Sequence, residues 1–200
     1  ENKLKGIPWI GILMLSGAFL TKGPVGLVLP CAVVAAFAWI RGINFFRICF
    51  SFIAVALAAC VIPAFWYVAA WKQGGEPFLQ LVLEENVYRF LGKMSYASHE
   101  NPWPYNVMTV ITGFVPYTIL IVMSLFTLKY TRVASKPREW WGKFISWVKQ
   151  MDDTRLFSLL SITIMFVFYC IPKSKRSVYL LPIYPFIAYF IAEYIVWLFK

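Results

Sequence analysis

The sequence predicts an all-α integral membrane fold, and three observations predict it. Sixty per cent of the 200 residues are hydrophobic and only 14% are charged, against about 25% charged in a soluble domain. Apolar runs approaching the ~20 residues that a helix needs to cross ~30 Å of hydrocarbon recur along the chain. The 9 Trp, 11 Tyr and 18 Phe are the side chains that crowd membrane-water interfaces. In a soluble protein the net charge of +10 would suggest nucleic acid. With this composition it marks loops facing anionic lipid and the cytoplasm, and nucleic acid is set aside as a partner.

Six candidate spans follow, at 7–20, 24–40, 48–71, 105–128, 156–171 and 177–199. The first two are short and meet at Thr21-Lys22-Gly23-Pro24, so they read either as one broken hairpin or as short tilted spans that thin the bilayer. Pro30, Pro63, Pro116, Pro182 and Pro185 fall inside these segments. Kinks are expected there, with neighbours satisfying the carbonyls that proline leaves without a donor. The whole of 1–200 is one transmembrane region, with an external loop at 72–104 and a cytoplasmic loop at 129–155. Cys31, Cys49, Cys60 and Cys170 lie in or beside apolar segments, without the spacing of a metal knuckle or the density of a disulfide scaffold. They read as inert thiols. The chain opens on Glu1 and enters an apolar run without a signal-peptide n-region, which is expected of a piece of a longer protein.

Orientation comes from the loop at 129–155, where Lys129, Arg132, Lys136, Arg138, Lys143, Lys149 and Arg155 outnumber Glu139, Asp152 and Asp153. The positive-inside rule places it in the cytoplasm, and alternation carries 12 of the 19 basic residues to that side. Lys22, Lys72, Arg89, Lys93, Lys173, Lys175 and Arg176 are left outside, in three separate loops. The turn IPKSKRSVYLLP therefore holds Lys173, Lys175 and Arg176 against the topogenic bias. Two readings stand: cations snorkelling to phospholipid headgroups, or a site for an anionic group.

In the long external loop, EPFLQLVLEENVYRFL (76–91) has apolar residues at helical spacing, and Pro77 suits a first helical turn. An amphipathic helix in the external interface is the expectation. Glu85 and Arg89, four apart, read either as a surface pair or as a functional arginine. After it comes GKMSYASHENPWPYN, with the one histidine, His99. Imidazole can ligate a metal or move a proton near neutral pH. An exposed loop histidine with no role is the other reading, since a metal needs more ligands than Glu100 adds.

Taken together, LTKGPVGLVLP, FWYVAAW, ENVYRFLG followed by HENPWPY, and SKRSVYLLPIYP, in that order over roughly residues 20 to 185, resemble the bacterial lipid-linked-sugar glycosyltransferases of the GT-C fold. That superfamily includes the protein O-mannosyltransferases and the lipid A aminoarabinose transferase. The resemblance implies a middle part of the GT-C fold in the inner membrane. It implies a sugar passed from a polyprenyl phosphate to an acceptor (protein, lipid A or another glycan) at the external face. The family's catalytic carboxylates lie in its first external loop, so no base is expected within this piece, which alone would be inactive. By the same resemblance Lys22, Arg89, Lys173, Lys175 and Arg176 would converge on the carrier phosphate, Tyr179 and Trp103 would bind the donor, and His99 would stand near a divalent metal. Pro104 departs from the family, which commonly has an aromatic residue at that position. A transporter or flippase of an anionic lipid is the alternative from another class, and a structural subunit recruiting headgroups is a third.

Overall fold

The computed structural model describes residues 8–91, 93, 100–102, 104–126 and 137–199, without the side chains of 137–141. The described residues are almost entirely helical and divide into two compact units, Glu1–Glu100 with Pro172–Ser174, and Asn101–Ile171 with Lys175–Lys200.

In the first unit, α1 (Trp9–Lys22) and α2 (Pro24–Ile40) are parted by Gly23, at φ 66° and ψ −157°. Only glycine adopts that conformation readily. Pro24, at the first position of α2, has the fixed φ and missing N–H that suit a helix start. Asn44 then caps α3 (Phe45–Leu83), its side chain accepting from Phe46 N at 2.9 Å. α3 breaks at Gly75, at φ 60° and ψ −150°, and resumes with Pro77 in its opening turn. It continues through a π-helical turn (Glu84–Tyr88) into the short α4 (Arg89–Leu91).

α1 packs on both α2 and α3, around Ile12, Leu27 and Ala59. The bond that ties α1 to α3 has a covalent cause. Pro63 has no N–H, so the carbonyl one turn back, that of Ala59, loses its helical donor. Ser16 of α1 supplies one, its Oγ donating to Ala59 O at 2.7 Å, while Ile12 O lies at 3.0 Å. Ser16 is 2% exposed and Ala59 0%, so water cannot replace the hydroxyl. Ser16→Ala should lower stability by about 1–2 kcal/mol, read as thermal unfolding in micelles. In a Pro63→Ala background Ala59 regains a backbone donor, and the same serine substitution should then have little effect.

The second unit begins with α5 (Tyr105–Gly113) and α6 (Tyr117–Leu125), bent 99° from each other. Between them Pro116 cannot donate to the preceding turn; Thr118 Oγ1 donates across the bend to Ile111 O at 2.8 Å. Further on come α7 (Pro137–Gln150), α8 (Asp153–Cys170), a 3₁₀ helix (Ser177–Ile183) and α9 (Tyr184–Leu198). Asp152 caps α8 by accepting from Thr154 N at 3.0 Å. Leu156, Leu180 and Ile183 are fully buried among α8, the 3₁₀ helix and α9. Arg155 of α8 donates to both carboxylate oxygens of Glu193 in α9 at 3.0 and 3.1 Å, and Tyr189 OH donates to Oε1 at 2.7 Å.

The helical membrane character expected from the sequence is present, but six spans are not shown. Among the described residues three helical stretches are long and apolar enough to cross a membrane, Phe45–Leu91, Asp153–Cys170 and Ser177–Leu198, and a fourth if the bent pair α5 and α6 counts as one. The reason is local. The Gly23-Pro24 break leaves α1 and α2 at 14 and 17 residues, or about 21 and 26 Å at 1.5 Å per residue, short of ~30 Å of hydrocarbon. The run read as 105–128 changes direction at 114–116.

Candidate functional site

The cations singled out in the sequence fall in both units. In the first, Lys22 occupies the last turn of α1, where a positive charge meets the negative end of the helix dipole. Next to it, Gly23 faces Asn86 of the π-helical turn so closely that a Cβ at Gly23 would overlap Asn86 Oδ1. The Asn86 amide donates to Val82 O at 2.9 Å, which holds the side chain in place. The π turn ends at Tyr88, directly before Arg89. There Arg89 Nη2 approaches Glu85 Oε1 at 2.8 Å and Oε2 at 2.6 Å, with its side chain 17% exposed. Thus the pair four residues apart does form, around a largely buried guanidinium. The close approach of Gly23 to the Asn86 side chain sets the chain break beside Lys22 against the π turn that precedes Arg89. Lys173, in the same unit, is exposed, and its neighbour Ser174 pairs with Glu100 in an isolated antiparallel bridge.

In the second unit, Lys175 departs from the picture of a solvated cation. It is 6% exposed, its Nζ donates to Asn101 O at 3.2 Å, and the Asn101 amide donates back to Lys175 O at 3.0 Å. A buried ammonium requires such polar contacts, and this one fastens residue 101 to residue 175. Lys175→Met should therefore lower stability by about 1–3 kcal/mol, and amide exchange at 174–176 should quicken. Unchanged exchange would show that the ammonium does not hold this pairing.

Arg176 lies in extended backbone just before the 3₁₀ helix. Its Nε is buried and has no hydrogen-bond acceptor among the described residues. Its carbonyl accepts from Tyr179 N at 3.1 Å, starting the turn. Tyr179 stacks on Tyr169, with centroids 5.5 Å apart and planes 21° apart. Asn106, 1% exposed, donates to Tyr169 O at 2.8 Å and so ties α5 to the last turn of α8. Rigid aromatic and amide contacts surround the segment 175–179.

His99 and Trp103 lie outside the described residues. Among the described residues no group of three or more His, Cys, Asp or Glu comes together to hold a metal ion. An apolar groove of about 520 Å³ runs along α2 and α3 past Cys31, Ala35, Cys49 and Ala56; its walls offer nothing polar enough for a phosphate. Sequence reasoning missed Asn86, Asn101, Asn106 and Tyr169. For the three asparagines the available signal was an amide inside or beside an apolar segment, where its donors need partners.

No family model and no solved structure matches the chain. It is 27% identical over 188 residues to an uncharacterized protein of Aquifex aeolicus (strain VF5), covering 94% of this chain and 32% of that one. It is 28% identical over 199 residues to undecaprenyl phosphate-alpha-4-amino-4-deoxy-L-arabinose arabinosyl transferase 1 of Proteus mirabilis (strain HI4320), covering 98% of this chain and 32% of the enzyme. To transferase 2 of the same organism it is 25% identical over 194 residues, covering 96% and 31%. The chain thus spans about a third of the length of the curated relatives it matches.

Proposed function

We propose that this chain is part of an integral-membrane glycosyltransferase that moves a sugar from a polyprenyl-phosphate carrier to an acceptor on the external face of the inner membrane. The observation that carries the reading is the likeness, along almost the entire chain, to two Proteus mirabilis enzymes named for a sugar linked to undecaprenyl phosphate. Their low identity leaves the sugar and the acceptor open, and protein, lipid A and glycan remain the acceptor classes.

The chemistry accounts for cations. An acceptor hydroxyl oxygen attacks the anomeric carbon as its proton passes to a carboxylate base of the complete protein, the bond from that carbon to the phosphate oxygen breaks, and the electron pair stays on the carrier. A phosphodiester with one negative charge becomes a phosphomonoester with nearly two, so fixed positive groups bind the transition state better than the ground state. Arg176 suits this, since a guanidinium offers a planar fork of donors to a phosphate and its Nε lacks an acceptor among the described residues. Lys175 positions the turn through Asn101. Lys22, Arg89 and Lys173 are proposed as further phosphate contacts, Tyr179 and Trp103 as donor contacts, and His99 as a ligand of a divalent metal.

The test is transfer itself. The complete protein, reconstituted with a polyprenyl-phosphate-linked sugar, should release polyprenyl phosphate as the acceptor gains the sugar, followed by mass spectrometry of both products. Movement of the intact donor across the bilayer without cleavage would replace this reading with a flippase.

A further inference from the structure

The basic stretch read from the sequence as a cytoplasmic loop contains a regular helix, α7. At about 100° per residue, Phe144, Ile145, Trp147 and Val148 share one arc of its circumference, roughly 160° wide. Lys143 and Lys149 stand at the two edges of that arc. Ser146 and Gln150 lie opposite, joined by Gln150 Nε2 donating to Ser146 Oγ at 3.1 Å. The apolar arc is open, with Trp147 56%, Ile145 42% and Phe144 39% exposed.

Position says what covers it. α7 ends at Gln150 and α8 starts at Asp153, and α8 is long and apolar enough to cross a membrane. The three chain steps from Gln150 to Asp153 reach about 11 Å at most, so the end of α7 is held near the surface where α8 would enter the bilayer. There an arc of Trp, Phe, Ile and Val finds the boundary between headgroups and acyl chains. Lysines at its edges extend their stems along that boundary and raise their ammonium groups to the phosphates.

We infer that α7 lies flat in the membrane surface at which α8 begins, its apolar arc sunk into the acyl boundary and Lys143 and Lys149 bound to anionic phospholipid headgroups. The ammonium groups act as point charges, so they discriminate by net headgroup charge. Each should shift the bound population about fivefold in an anionic bilayer. This inference does not depend on the proposed transfer reaction.

The test uses the full chain in nanodiscs, with Cys31, Cys49, Cys60 and Cys170 replaced by serine and a nitroxide placed at Val148→Cys or Ser146→Cys. In discs rich in phosphatidylglycerol, the label at 148 should collide readily with oxygen and poorly with a water-soluble nickel chelate, and the label at 146 the reverse. Nickel access at 148 should rise several-fold in phosphatidylcholine discs or with Lys143→Gln and Lys149→Gln together. In the unlabelled wild-type chain, amide exchange over 142–150 should be slower in phosphatidylglycerol than in phosphatidylcholine. Equal nickel access at both positions would put the helix in water. Shielding of 148 from both reagents would put it against protein, either another segment or a second copy. Access and exchange independent of lipid charge would remove the anionic recognition. Each of these three results overturns the inference.

Discussion

Arg176→Gln in the complete protein should lower kcat for the proposed sugar transfer about 100-fold or more, the range seen when one preorganised donor to a developing anion is removed. KM for the carrier-linked donor should move much less, because on that proposal the charge that the guanidinium meets grows as the phosphate departs. Arg176→Lys should recover part of the loss: it restores the charge and not the bidentate fork. Folding is not expected to suffer, since the turn depends on the Arg176 carbonyl accepting from Tyr179 N and on the Tyr179–Tyr169 stack, both kept in these variants. Thermal unfolding checks that, and donor-saturated turnover checks the rest. Wild-type kcat in a normally folded Arg176→Gln protein would take the carrier phosphate away from this residue.

Gly23→Ala should destabilise the first unit through two effects at once. The backbone at φ 66° and ψ −157° is close to a glycine-only region and costs other residues about 1–3 kcal/mol. The added carbon would also overlap Asn86 Oδ1. Loss of expression, or a fall in unfolding temperature of several degrees (about 1 kcal/mol moves a domain of this size by ~2–4 °C), is the expected result. Adding Asn86→Ala should relieve the overlap and leave the backbone term, so the double variant should recover part of the stability. Strict additivity of the two substitutions would mean that the contact between the α1–α2 break and the π turn carries no energy.

How far the sequence could be read depended on the range of the interaction. The break at Gly23-Pro24 and the helix over 76–91 opening at Pro77 are written in adjacent residues, and both were legible. Pro116 marked the place of the bend between α5 and α6 as well, but its size, 99°, was not legible, because hydropathy reports how apolar a segment is and carries no direction. α7 was hidden by the charges around it: counting Lys and Arg from 129 to 155 located a loop, whereas the 100° spacing of Phe144, Trp147 and Val148 was the signal for a helix. At the site, the exposed-looking Lys175 is held by Asn101, 74 residues away, and Asn106 reaches Tyr169 across 63. Neutral amides leave no charge pattern, so only the folded chain shows which carbonyl each one meets. His99, two positions before Asn101, lies outside the described residues.

The hydroxyl that Ser16 lends to Ala59 has a bearing on biogenesis. Ala59 sits near the centre of the stretch from 45 to 74, so on its own that stretch would carry a bare peptide oxygen into the middle of the lipid. It becomes a tolerable solute only once α1 is alongside, and α1 is translated first. The order of synthesis thus makes the donor before the oxygen that needs it.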